Sequence, residues 1–147
     1  MNILRLNFWI SGHTWLLSAK NTSWCLFGCA IGDLGTIYLF QVFGWPWSPI
    51  FIMVLAMING LITSVLLETI VLMTQKIAFR IAVSTALGMS FLSMLSMELA
   101  MNITDFVLAG GEAQIKLDYL PLILFFGFIT PWPYNYWRLK ALDEACH

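Results

Sequence analysis

Charged side chains are scarce in this chain. Seven Lys or Arg and eight Asp or Glu make up 10% of its 147 residues, against roughly 25% in a soluble domain. With 60% hydrophobic residues and a mean hydropathy of +0.83, too little polar surface remains to cover a water-soluble globule, and the composition is that of an integral membrane protein. The net charge of −1 and the lack of a basic patch give nucleic acid no footing, because phosphate contacts need clustered Lys and Arg. Histidine is rarer still: His13 and His147 lie near the termini and leave little for acid–base chemistry. No phosphate-cradling glycine loop, His-Glu-x-x-His, Gly-x-Ser-x-Gly or Ser/His/Asp set is present, so an enzyme is not expected. Three cysteines, Cys25, Cys29 and Cys146, cannot close a disulfide set and point to free thiols, a metal site or packing. A cleaved signal peptide is not expected, since Ser11, Gly12 and His13 interrupt the apolar stretch after Arg5.

What is abundant is apolar length. Residues 1–20 mix Arg5, His13 and Lys20 with Phe8, Trp9 and Trp15 and read as an amphipathic interfacial segment. Residues 21–147 then form one domain with four expected spans at about 24–43, 49–73, 77–107 and 119–137. About 20 residues at 1.5 Å each match a hydrocarbon core of about 30 Å. Asn21-Thr22-Ser23 is a run of N-cap residues before the first span, and Ser48-Pro49 is the expected start of the second. Pro131 and Pro133 must kink or break the fourth. The fold class is thus all-α: a polytopic four-helix bundle in a lipid bilayer. Arg5, Lys20, Lys76, Arg80, Arg138 and Lys140 fall on one side and Lys116 on the other, so both termini are expected in the cytoplasm, with the protein in the cell inner membrane.

The stretch Gly88–Asp105 places acids, an amide, serines and methionines inside an apolar helix. Met94, Glu98, Met101, Asn102 and Asp105 stand at i, i+4, i+7, i+8 and i+11, one continuous helical face. Met97 borders it, and its Met-x3-Met spacing to Met101 is similar to that of eukaryotic copper importers. Methionine also fills gaps in ordinary packing. Cys25 and Cys29 are four apart, with Cβ atoms expected about 5–6 Å apart on one face. The expected topology puts them in the cytoplasmic first turns of span one, on the side of His13, Cys146 and His147. Thiolates and imidazoles suit Cu(I) or Zn(II), although cysteine also packs as a small apolar residue. Asp33 continues the cysteine stripe, and Glu68 is placed to meet Asp33 or Arg80. Intramembrane acids mark either ion paths or buried register pairs. Gly88, Ser90, Ser93 and Ser96 are expected to allow close helix approach.

Three blocks carry a resemblance. They are Trp24-Cys25-Leu26-Phe27-Gly28-Cys29-Ala30-Ile31-Gly32-Asp33, the Gly88–Asp105 block, and Pro131-Trp132-Pro133-Tyr134-Asn135-Tyr136-Trp137-Arg138-Leu139-Lys140 with the Ala145-Cys146-His147 end. Together they resemble a bacterial membrane family catalogued as domain of unknown function 4396, over roughly residues 20–147. Trp24 stands where many members have histidine. The resemblance implies the architecture and marks positions, without implying a reaction.

Three functions fit these residues. The first is binding or transport of a soft metal, copper before zinc. Met94, Met97 and Met101 with Glu98 and Asp105 would form the outer part of its path. Asp33 and Glu68 would form the middle, and Cys25, Cys29, Cys146 and His147 the cytoplasmic end. The second is a non-catalytic accessory subunit or assembly factor of a larger membrane electron-transfer complex, docking partner subunits or further copies. The third is a proton- or cation-coupled carrier that needs only the carboxylates.

Overall fold

The computed structural model describes residues 9–142, apart from the side chains at 89, 90 and 142. Arg5, Cys146, His147 and the Ser90 side chain lie outside that set. Among the described residues the architecture is all-α: α1 (Gly12–Phe43), α2 (Pro49–Thr74), α3 (Phe79–Leu108), α4 (Leu120–Ile129) and α5 (Trp132–Leu142). α1, α2 and the Phe91–Leu108 stretch of α3 are long and apolar enough to cross a membrane. Burial follows the membrane pattern. Phe27, Ile31, Leu66, Ile103 and Phe125 point outward, while Asp33, Ser64, Glu98, Asn102 and Asp105 are buried. Lipid would cover the former, and the bundle interior shelters the latter.

α1 differs from expectation. It is 32 residues long and begins at Gly12, not near residue 24, so residues 12–20 are continuous with the bundle helix. Ser11 caps it, its side chain accepting from the Thr14 amide at 3.4 Å. The Asn21-Thr22-Ser23 run does not cap a helix, because a tertiary contact claims it. Asn135 Nδ2 on α5 donates to Thr22 Oγ1 at 2.8 Å, and that hydroxyl donates to the Ser18 carbonyl at 2.7 Å. Below this pair Tyr136 stacks on Trp15 at 4.1 Å and on Trp9 at 5.1 Å. Trp132 Nε1 donates to the Trp15 carbonyl at 3.3 Å. Arg138, counted above among the basic residues of one side, is buried at 4% exposure.

The expected fourth span is two short helices. The last bond of α4's final turn is Thr130 N to Phe126 O, 3.2 Å; Pro131 then has no amide to continue the ladder. The 10 residues of α4 extend roughly 15 Å, half a hydrocarbon core.

α1 and α2 approach closely because glycines line their contact. A Cβ on Gly28 would stand 2.7 Å from Ser64 Cα, and one on Gly32 would overlap the Asn59 carbonyl. Small residues four apart permit this approach in membranes. It brings Thr63 Oγ1 to the Gly28 carbonyl (2.7 Å), Asn59 Nδ2 to Thr36 Oγ1 (2.8 Å) and Ser64 Oγ to the Cys25 carbonyl (3.3 Å). Gly88, expected at a helix contact, is exposed with open space around it. Ser96 Oγ donates within its own helix to the Ser93 carbonyl at 2.8 Å.

Candidate functional site

α1 and α3 both start at the same end of the bundle, so residues at similar depth meet. Cys25 lies roughly 20 Å from the start of α1, and Met94 at about the same depth in α3. Cys25, Cys29, Met94, Met97, Met101 and Ile123 form one buried cluster, with Leu26, Leu34 and Val65 packed around it. Five sulfur-bearing side chains from two helices therefore converge on one core. This corrects the placement of the cysteines in the first turns of a span, apart from the methionines: α1 starts a dozen residues earlier, which moves both thiols to mid-helix. Neither Cys25 nor Cys29 forms a disulfide among the described residues. α4 closes the cluster with Ile123 and Gly127, where an added Cβ would stand 3.0 Å from Met101 Sδ.

A polar seam runs on from the sulfurs. The Cys29 thiol lies between the Glu98 carboxyl and Ser64, and the carboxyl lies against Gly60, where any Cβ would overlap Oε1. Glu98 is 0% exposed; among the described residues its oxygens find no nitrogen or hydroxyl partner, and what they face is the weakly donating Cys29 thiol. One turn further, Asn102 Nδ2 donates to Asp33 Oδ1 at 2.9 Å and to the Glu98 carbonyl at 3.0 Å. Asp33 is within electrostatic reach of both Glu98 and Asp105. Asp105, 1% exposed, also has both oxygens without a hydrogen-bond partner among the described residues. The three acids descend α1 and α3 in series over roughly 10–15 Å.

Glu68 stands elsewhere than expected. α1 and α2 run antiparallel, so residue 68 comes level with Cys25, two turns from Asp33. It lines a small cavity with Trp24, Cys25 and Ser64, while Arg80 is exposed. His13 is exposed as well, three turns before Cys25. Among the described residues no group of three or more His, Cys, Asp or Glu is arranged to hold a metal ion; only the methionines complete a sulfur set.

Sequence reasoning passed over Ser64, Gly60 and Gly127, which shape the site from the facing helices. Their signal is the small residue at each close contact, four apart for Gly60 and Ser64.

Chemically, the arrangement joins soft donors to the Glu98, Asp33 and Asp105 carboxyls, beside which no cationic side chain is found among the described residues. Thioethers and thiols select soft monovalent ions over hard ones. A carboxyl in such a place is costly when ionised unless a cation or proton accompanies it.

Comparison with curated proteins and with solved structures finds no match. The sequence matches the family described as "Domain of unknown function (DUF4396)" over residues 14–143, a span that reaches back almost to the start of α1 and ends just past α5. The chain belongs to this DUF4396 family.

Proposed function

We propose that this is a four-span protein of the cell inner membrane that binds a soft metal ion, Cu(I), at Cys25, Cys29, Met94, Met97 and Met101 and passes it along the Glu98–Asp33–Asp105 seam. The observation that carries this is the convergence of five sulfur side chains in one buried cluster. Copper is favoured over zinc because thioethers bind Cu(I) well, whereas zinc sites draw on Cys, His and carboxylate sets, and no such set of three exists among the described residues. The fourth span is α4 and α5 together, kinked at Pro131. Cytoplasmic termini are supported by exposed Lys20, Lys76 and Arg80 on the side of both chain ends, with exposed Lys116 opposite.

In this mechanism the sulfurs hold the ion without water. Glu98, beside Cys29, passes its own proton on along the seam and is reprotonated by the thiol as metal binds, so that one proton leaves the bundle for each Cu(I) and the thiolate and ion neutralise one another. Titration of purified protein with Cu(I) against a chromogenic Cu(I) chelator tests it, with Zn(II) as the comparison ion. Wild type should withdraw copper from the chelator, and a Cys25→Ser/Cys29→Ser variant should withdraw much less. Equal retention by the two proteins would refute the site.

One observation favours a second reading, a proton- or cation-coupled carrier: among the described residues the buried Glu98 and Asp105 carboxyls have no nitrogen or hydroxyl partner. In that case Glu98→Gln abolishes transport in vesicles while the Cys25→Ser/Cys29→Ser variant transports normally.

A further inference from the structure

The end of the bundle that carries the 44–48 and 109–119 connections holds a second site, unrelated to the sulfur cluster. Gly44 ends α1 in the left-handed region (φ 62°), its amide bonding back to the Phe40 carbonyl at 3.0 Å. The chain then runs Trp45-Pro46-Trp47-Ser48-Pro49. Two prolines fix φ on either side of Trp47. The Trp47 amide turns back onto the Trp45 carbonyl at 2.8 Å, and Ser48 caps α2 at Phe51. The two indoles are thereby held against one buried ring, with Trp45 also stacked on Phe43 at 5.3 Å and Trp47 against Phe51 at 4.6 Å. Trp45 meets Phe40 at 5.1 Å and 81°, and Trp47 meets it at 5.3 Å and 58°. Three aromatic rings at steep angles wall a cavity of about 290 Å³.

The polar lining of this cavity is Gln41, Gln114 and Glu112. Glu112 forms no ion pair or hydrogen bond among the described residues, and no Lys or Arg lines the cavity. The nearest lysine in sequence, Lys116, lies over the Tyr119 ring at 5.6 Å instead. The cavity is therefore walled by aromatic rings and a single negative charge, with no cation lining it among the described residues. Interfacial anchoring explains why tryptophans stand at this depth, but anchoring does not require them to enclose space beside an acid. At the other end of the bundle Trp9, Trp15 and Trp132 close on one another and on Tyr136.

The geometry points to a binding site for a small organic ammonium group, held by Phe40, Trp45 and Trp47 through cation–π contact and by Glu112 through charge. Ring faces favour such cations over equally shaped neutral groups. Two sources present this chemistry at a membrane surface, the amine headgroup of a phospholipid and a soluble amine.

The test compares choline with its uncharged isostere 3,3-dimethyl-1-butanol, by calorimetry on the full chain in detergent and in a buffer free of amines. Choline should bind at least about tenfold more tightly than the alcohol. Glu112→Gln, an exposed change that leaves the fold intact, should weaken choline by about three- to tenfold, and Trp45→Ala and Trp47→Ala by at least as much. Trp45→Phe, which keeps a ring, should recover part of the loss. Repeating the titration in nanodiscs separates the sources: loss of choline binding in phosphatidylethanolamine but not phosphatidylglycerol assigns the cage to lipid, and equal binding in both assigns it to soluble amines. Equal affinity for choline and the alcohol, or unchanged choline affinity in Glu112→Gln, overturns the site.

Discussion

Replacing Gly32 by Ala should separate α1 from α2, whereas the same change at Gly35 should not. An added Cβ at Gly32 would overlap the Asn59 carbonyl and Thr63 Oγ1. The first of these is backbone and cannot swing aside, so the helices must part. Overpacking of this kind costs about 1–3 kcal/mol. Separation also weakens the Asn59–Thr36, Thr63–Gly28 and Ser64–Cys25 bonds, each worth about 0.6 kcal/mol in a membrane bundle. Alanine's better helix propensity returns about 1 kcal/mol, for a net loss of roughly 1–3 kcal/mol. At Gly35 nothing lies within 4 Å of the added methyl, so only the propensity gain of up to about 1 kcal/mol remains. Equilibrium unfolding in mixed micelles, followed by far-ultraviolet circular dichroism, reads both variants on one scale. Shifts in the same direction for the two, or a Gly32→Ala protein as stable as wild type, would refute the close α1–α2 contact.

Other outcomes follow from the same contacts. Glu98→Gln should leave stability unchanged or raise it, since among the described residues the carboxyl has only the weak Cys29 thiol as a partner, yet should abolish vesicle uptake of copper; a marked loss of folding would show a structural role instead. A double-mutant cycle on Asp33→Leu and Asn102→Leu should return a coupling of about 0.6–1.7 kcal/mol from their 2.9 Å bond, and strict additivity would count against that bond. Tyr136→Phe should cost less than about 1.5 kcal/mol, since its hydroxyl accepts long bonds of 3.3 Å from the Ser11 amide and Lys140 Nζ. Tyr136→Ala should cost about 3–5 kcal/mol and expose the α4–α5 junction to limited proteolysis. Gly127→Val should weaken Cu(I) affinity by pressing on Met101 while leaving both thiols in place.

Much of the helical plan was legible in the sequence because a bilayer imposes length. Apolar stretches of about 20 residues need no partner to be recognised, and Ser48-Pro49 starts α2 as its residue types require. The start of α1 was not legible. Asn21 and Thr22 favour capping locally, but Asn135, more than a hundred residues away, bonds Thr22 in mid-helix, and no local rule anticipates that partner. The site's composition was visible in the periodicity of Met94, Glu98, Met101 and Asp105, whereas its depth was not. The missed dozen residues of α1 displaced Cys25 and Cys29 by about 18 Å along the axis, which separated on paper the sulfurs that pack together in the bundle. Glu68 was misplaced for the related reason that its partner depends on the register of α2 against α1, which Gly28 and Gly32 set.

Copper K-edge X-ray absorption on protein loaded anaerobically with Cu(I) tests the proposed centre most directly. The expected spectrum has an all-sulfur first shell that disappears in Cys25→Ser/Cys29→Ser and changes in Met94→Leu/Met101→Leu. A shell of nitrogen and oxygen, or a sulfur shell unchanged in both variants, would contradict a metal site in the buried sulfur cluster.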